Sequence, residues 1–332
     1  MEWYLPVIWA ALIGTAVAMY VILDGFDLGI GILFPYAGSE RERDQMMNSV
    51  APFWDGNETW LVLGGGGLLV AFPKGYSVIM PAFYLPIIIM LLALVLRGVA
   101  FEFRWVSHSR SFWNVAFAFG STLAALCQGA ILGGLIQGVK VENGAFAGGP
   151  FDWATPFALL CAIGVVIGYA LLGATWLIVK TDGEVEARGR RQARVLLLLV
   201  LLFMVAVSLW TPLAFDRIAT RWFSYPNIAF LWAVPVITAI VAYLDWHWIH
   251  EREVLPFLAS IVLFLLGYLG LVISVFPFMV PTSLTIWDAA AVPASQIFML
   301  LGTVALLPLI LCYTGFVYWL FRGKVREGEG YH

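Results

Sequence analysis

The stretch LPVIWAALIGTAVAMYVILDGFDLGIGILF, residues 5–34, carries no charge before Asp24 and is followed at once by SERERD, residues 39–44. A run of that length exceeds the ~20 apolar residues that cross ~30 Å of hydrocarbon, and the charged hexapeptide marks where it leaves the membrane. The same alternation gives further apolar runs at 53–72, 76–96, 113–139, 155–179, 195–215, 227–244, 255–278 and 294–321. Lipid offers the backbone no hydrogen-bond partner, so each run is expected to be a helix. The expected fold is all-α and polytopic: one integral membrane domain, residues 1–332, with nine transmembrane helices.

Nine crossings put the termini on opposite faces, and the basic residues choose the orientation. On the side of the C-terminus lie Arg41 and Arg43, then Arg97, Arg104 and Arg110, then Lys180, Arg188, Arg190, Arg191 and Arg194, then Arg252, and in the tail Arg322, Lys324 and Arg326. The other side holds Lys74, Lys140, Arg217 and Arg221. The positive-inside rule then makes the N-terminus extracytoplasmic and the C-terminus cytoplasmic. An even number of spans would destroy this asymmetry.

A hydrophobic share of 62% against 12% charged residues excludes an ordinary soluble domain. The connections leave no room for a nucleotide fold, and Gly64-Gly65-Gly66-Gly67 inside an apolar run is no phosphate cradle. Met1-Glu2-Trp3-Tyr4 lacks the basic start of a signal peptide, so the first run reads as a retained span. Cys127, Cys161 and Cys312 lie singly in different spans and read as packing residues. Small residues at i, i+4 (Gly25/Gly29, Gly129/Gly133, Gly134/Gly138, Gly164/Gly168) predict close helix approach. Trp3, Tyr4, Trp113, Trp153, Trp222 and Trp246 fall near span ends, as interfacial anchors do. Residues 276–293, with Pro277, Pro281, Pro293 and the lone charge of Asp288, are too irregular to span and too apolar to be freely solvated. They are expected to fold back over the bundle or against another subunit.

Acids inside a span cost roughly 2.5–3.5 kcal/mol each and need a reason. Asp24 and Asp27 share one helix face. Counting from Leu5 at ~1.5 Å per residue puts Asp24 near the cytoplasmic boundary, and counting back from Tyr36 puts it nearer mid-membrane. Asp55 and Glu58 repeat the spacing where the second helix begins, with Asn57 between them. The hairpin brings the two pairs to similar depth, a candidate proton-accepting patch. The plainer alternatives are a helix dipole favouring Asp55 and Glu58, and pairing of Asp24 and Asp27 with Arg97 or Arg104. Glu102 reads as an interfacial ion-pair member. The histidines, His108, His247, His250 and His332, fall in connections or the tail on the cytoplasmic side, which leaves no axial pair for a haem inside the membrane. Met19, Met80, Met90, Met204, Met279 and Met299 read as apolar filler, and no metal site is expected.

Four motifs carry a resemblance: DGFDLGIG at 24–31, NSVAPFWDGNETW at 48–60, FEFR at 101–104 and SLTIWD at 283–288. Together they resemble subunit II of cytochrome bd-type quinol oxidases over essentially the whole chain. The tail, from Phe321-Arg322-Gly323-Lys324-Val325 to Gly330-Tyr331-His332, is similar to the cyanide-insensitive branch. The resemblance implies two four-helix bundles plus one peripheral helix, and a heterodimer with the haem-bearing subunit I in the bacterial cytoplasmic membrane. It implies that two haems b and one haem d belong to subunit I, with none bound by this chain. Quinol would be the electron donor, and small single-span subunits and a structural quinone occur in some members. It further implies that Asp55 helps deliver cytoplasmic protons for reducing oxygen to water and that Trp60 lies near an oxygen route, while Glu58, Asp24 and Asp27 are proton-relay candidates by their placement in the spans. The complex would generate proton-motive force without pumping. Two other readings use the same residues: a secondary transporter coupled through intramembrane carboxylates, and a purely structural membrane subunit. No inverted repeat or pair of broken helices supports the transporter.

Overall fold

The computed structural model describes residues 3–326, so the tail motif Gly330-Tyr331-His332 lies outside the described residues. The chain opens with α1 (Leu5–Leu33), a single 3₁₀ turn (Phe34–Tyr36) and α2 (Glu40–Asn48). The charged hexapeptide is thus not a loop. Ser39 accepts from the Glu42 amide, and Glu40 and Glu42 occupy the first turn, so cap and dipole both favour a helix there. Next come α3 (Trp54–Ala71), α4 (Pro73–Ala82) and α5 (Tyr84–Val106). The expected span 76–96 is therefore broken at Phe83, where α4 ends, and the crossing helix is shifted towards Val106.

α6 (Arg110–Gln137) is followed by a hairpin of β1 (Val141–Glu142) and β2 (Ala145–Phe146). Asn143 and Gly144, both with positive φ, make its turn, a pairing suited to tight hairpins. α7 (Pro156–Lys180) and α8 (Gly183–Ala214) form the next pair, and α8 extends well past its apolar run. Short helices α9 (Asp216–Phe223) and α10 (Asn227–Leu231) lead to α11 (Ala233–Glu251) and α12 (Leu255–Val275). His247 and His250 are therefore on the last turns of α11, not in a connection, and both are exposed. The Pro-rich segment does fold back over the bundle. It forms β3 (Phe278–Val280), β4 (Leu284–Thr285) and α13 (Ile286–Ala289), with a capping box between Thr285 and Asp288. The Ala291 amide donates to the Ala71 carbonyl at 2.9 Å, and Trp287 stacks on Trp3. α14 (Pro293–Leu320) ends the fold.

Among the described residues eight helices are long and apolar enough to cross a membrane: α1, α5, α6, α7, α8, α10 with α11, α12 and α14. α3 is as long as a short span but fails on apolarity, because Asp55, Asn57 and Glu58 fill its first turns. Contacts group α1, α3, α5 and α6 on one side and α7, α8, α11 and α12 on the other. The two sets meet where α1 and α6 pack on α7. The closest approach is α1 on α7, where a Cβ on Gly173 would stand 2.5 Å from the Gly29 carbonyl carbon. Gly129 and Gly133 likewise face the backbone of Ala162 and Ala158. Gly138 does something else: with φ of 88° it ends α6, a conformation glycine adopts without penalty. α14 stays peripheral, with Gln296 as its buried residue.

Candidate functional site

α2, the turns after α5, α7 and α11, and residues 321–326 all gather at one end of the bundle, the basic end. Deep to that end, residues 24–31 of α1 are buried without interruption. Glycines at 25, 29 and 31 let α1 press against Tyr169, Gly173 and Ser121, which leaves its two acids no exit to solvent. Asp24 is 0% and Asp27 2% exposed.

Arg97 of α5, itself 2% exposed, divides its guanidinium between two acids. Nη1 donates to Asp24 Oδ1 at 2.7 Å and Nη2 to Glu58 Oε1 at 2.5 Å. Asp27 has no such cation: its Oδ2 accepts from Asn57 Nδ2 at 2.7 Å. That amide also donates to the Leu23 carbonyl and accepts from the Tyr318 hydroxyl at 2.9 Å. Among the described residues Asp24 Oδ2 and Asp27 Oδ1 have no hydrogen-bond partner. Three carboxylates thus cluster near one guanidinium that pairs with two of them, and Asp24 and Asp27 are shut off from bulk water. The gap beside Asp27 and Arg97 is walled by Val50, Trp54, Phe101 and Phe117. An ionised acid there is costly unless paired, so the surplus of acid over base creates a demand for a proton.

Asp55 does not join this cluster. It is exposed on the opposite face of α3. Asp55, Thr59, Val62, Gly66 and Leu69 recur at intervals of four and three, and together they make one uncovered helix face. A Cβ added at Gly56, Gly65 or Gly66 would meet open space. Glu58 is intermediate, with 29% of its side chain exposed, and links the buried acids to the open face. Trp60 is buried against Ala16 and Tyr20, and its indole N–H has no acceptor among the described residues.

Sequence reasoning named Arg97 as a possible partner and missed four further polar groups. Tyr169 donates to Gln128 Oε1 at 2.6 Å, and Gln128 Nε2 donates to Tyr20 at 2.8 Å, one turn before Asp24. A glutamine in mid-span was the available signal. Tyr318, 261 positions from Asn57, had none. Glu102 is exposed and makes no ion pair among the described residues. Its neighbour Arg104 is the buried one, bound to Glu40 at 2.9 Å and Asp44 at 2.6 Å. Hydrogen bonds from Asn114 and Arg43 outweigh burial and hold the Glu40 carboxyl below its ordinary range.

The chain matches the model of the cytochrome bd terminal oxidase subunit II family over residues 5–321. It belongs to that family. Subunit 2 of the cytochrome bd-I ubiquinol oxidase of Escherichia coli K12 is 30% identical over 97% of this chain and 95% of that protein. The Bacillus subtilis cytochrome bd ubiquinol oxidase subunit 2 is 27% identical over 97% of each. A chain of the Geobacillus thermodenitrificans bd oxidase structure superposes with a TM-score of 0.78, covering 96% of this chain and 98% of its own. At 18% identity that likeness speaks to the fold alone. The chain is accordingly a multi-pass membrane subunit of a cytochrome bd-type oxidase.

The histidines and methionines among the described residues are not placed to hold a haem. His108, His247 and His250 are exposed at the basic end, and the buried Met46, Met47 and Met90 are packed in the apolar core.

Proposed function

We propose that this chain is the haem-free partner of a quinol:oxygen oxidoreductase in the bacterial cytoplasmic membrane, and that it scaffolds the haem-bearing subunit I and brings cytoplasmic protons to it. α3 is counted as the ninth crossing. The basic end is then cytoplasmic by the positive-inside rule, and the N-terminus is extracytoplasmic.

The observation that carries this reading is the open face of α3. α3 is not among the eight helices apolar enough to cross by composition, and it presents an acid, a threonine and a glycine groove outwards. Against lipid that face is costly at its Asp55 end and makes few contacts along its glycines. Against a second helical protein the glycines permit close packing, and Asp55 gains polar neighbours. Subunit I therefore docks on α3, with α5 and α14 flanking. Protons from the cytoplasm are held by Glu58 and the Asp27 carboxylate, which has no cation. Asp55 passes them to the partner, where oxygen is reduced with electrons from quinol. Arg97 loses no proton in this scheme and fixes Asp24 and Glu58.

The purely structural reading draws support from Arg97, which neutralises two of the four candidate acids. It leaves Asp27 and Asp55 unexplained, since neither pairs with a cation among the described residues. Purification from native membranes in mild detergent tests the proposal. A haem-bearing subunit should co-purify and the complex should consume oxygen with quinol, while the chain expressed alone should hold no haem at unit occupancy. A folded, partner-free monomer from native membranes, or a stoichiometric haem on the isolated chain, would overturn it.

A further inference from the structure

α14 barely touches the body along its length, yet its last turn enters the buried acid cluster. Tyr318 stacks on Phe53 with ring centroids 4.5 Å apart and donates its hydroxyl hydrogen to Asn57 Oδ1. The segment beyond the helix holds that turn in place. Lys180 Nζ donates to the Phe321 and Gly323 carbonyls, the Val325 amide donates to the Lys180 carbonyl at 2.7 Å, and Gln45 Nε2 donates to the Val325 carbonyl at 2.8 Å. Lys324 reaches Glu186 and Glu253. One strap therefore ties α14 to α2, α7, α8 and the turn before α12.

A primary amide offers an acceptor on one side and two donors on the other. Asn57 faces Asp27 with its donor side, and two neighbours keep it there. The Leu23 carbonyl, which only accepts, takes one N–H, and the Tyr318 hydroxyl donates to the oxygen. Turning the amide over would set two carbonyl oxygens against each other at Leu23 and present an acceptor to Asp27. An acceptor there suits a carboxylic acid, and a donor suits a carboxylate. We infer that Tyr318 is a positioning residue which, through the Asn57 amide, sets how readily Asp27 takes up and releases a proton, with the C-terminal strap as its anchor. The inference rests on the proton-delivery reading above. The other charged or titratable groups around Asp27 are Asp24 on its own helix, Glu58 on α3, Arg97 on α5 and, nearer Asp24, Tyr20 on α1 and Tyr169 on α7.

The test is a cycle of Tyr318→Phe and Asp27→Asn in the assembled complex, read as quinol-dependent oxygen uptake per haem across pH. Phe keeps the ring on Phe53, so full haem content and an unchanged KM for quinol are expected, with a displaced pH profile. In the Asp27→Asn background Tyr318→Phe should change nothing further, because the group it acts through is gone. A displacement that persists without Asp27, a wild-type profile for Tyr318→Phe beside an impaired Asp27→Asn, or haem lost in step with turnover would each overturn the inference. A silent Asp27→Asn would instead remove Asp27 from the delivery reading on which the inference stands.

Discussion

Arg97 and Asp24, 73 positions apart, form a 2.7 Å ion pair in which neither side chain is more than 2% exposed. With Glu58 as its second partner, Arg97 joins α5 to both α1 and α3, so the first helix bundle is built around a charge that cannot reach water.

Removing that charge alone leaves the acids uncompensated. Arg97→Met is expected to destabilise the fold by about 3–5 kcal/mol, the cost of orphaning a buried ion. Asp24→Asn should be milder, because Arg97 keeps Glu58. Thermal unfolding of the purified complex, followed by haem release, ranks the two. Equal stability of Arg97→Met and wild type would mean that the pair contributes nothing.

Two glycines separate internal packing from partner packing. Gly173→Val pushes a side chain into the α1 backbone, where little can yield, so the loss should exceed the about 1–3 kcal/mol usual for overpacking. Gly66→Leu fills open space and disturbs nothing within the chain. It should insert normally and yet lose its haem-bearing partner on purification. Full recovery of the partner would show that the α3 face is not an interface.

At the basic end Glu40 gives a pH-dependent contribution of known sign. Its folded carboxyl titrates below the ordinary value near 4.3, so its stabilisation is complete above that pH and is lost as pH falls below it. Asn114→Ala removes one of the hydrogen bonds responsible. Glu40's contribution at neutral pH, and with it the acid loss of thermal stability in the purified complex, should then be smaller than in wild type. An unmoved acid limb would mean Asn114 does not hold Glu40.

The helices were legible because lipid makes hydrophobic run length nearly equivalent to helix position. α3 shows where that rule weakens: the run at 53–72 was read as a span like the others, but its polar start leaves the helix short of the apolarity the eight candidate spans reach. α4 ends at Ala82 inside a run that is apolar on both sides, and the prolines flanking the break, Pro81 and Pro86, were the signal available in the sequence. Within the site, the three-residue spacing of Asp24 and Asp27 was readable as one face, and the same spacing misled for Asp55 and Glu58. Both lie on α3, but Glu58 turns in to Arg97 while Asp55 stays out. Helical spacing gives relative direction only, and which way the pair points depends on α5. Tyr318 was unreadable because its role arises from a strap that closes at the far end of the chain.

Oxygen uptake by the Asp55→Asn complex reaches the proton-delivery claim most directly. Phe53, not Asp55, is the N-cap of α3, so the change forfeits only a dipole contribution of about 0.3–1 kcal/mol. The amide is nearly isosteric but does not titrate. Haem content of the purified variant reports assembly, and quinol-dependent oxygen uptake per haem reports turnover. The expected result is full haem content with strongly reduced turnover. Wild-type turnover at full haem content would contradict the account and leave Asp55 as a helix-start residue alone.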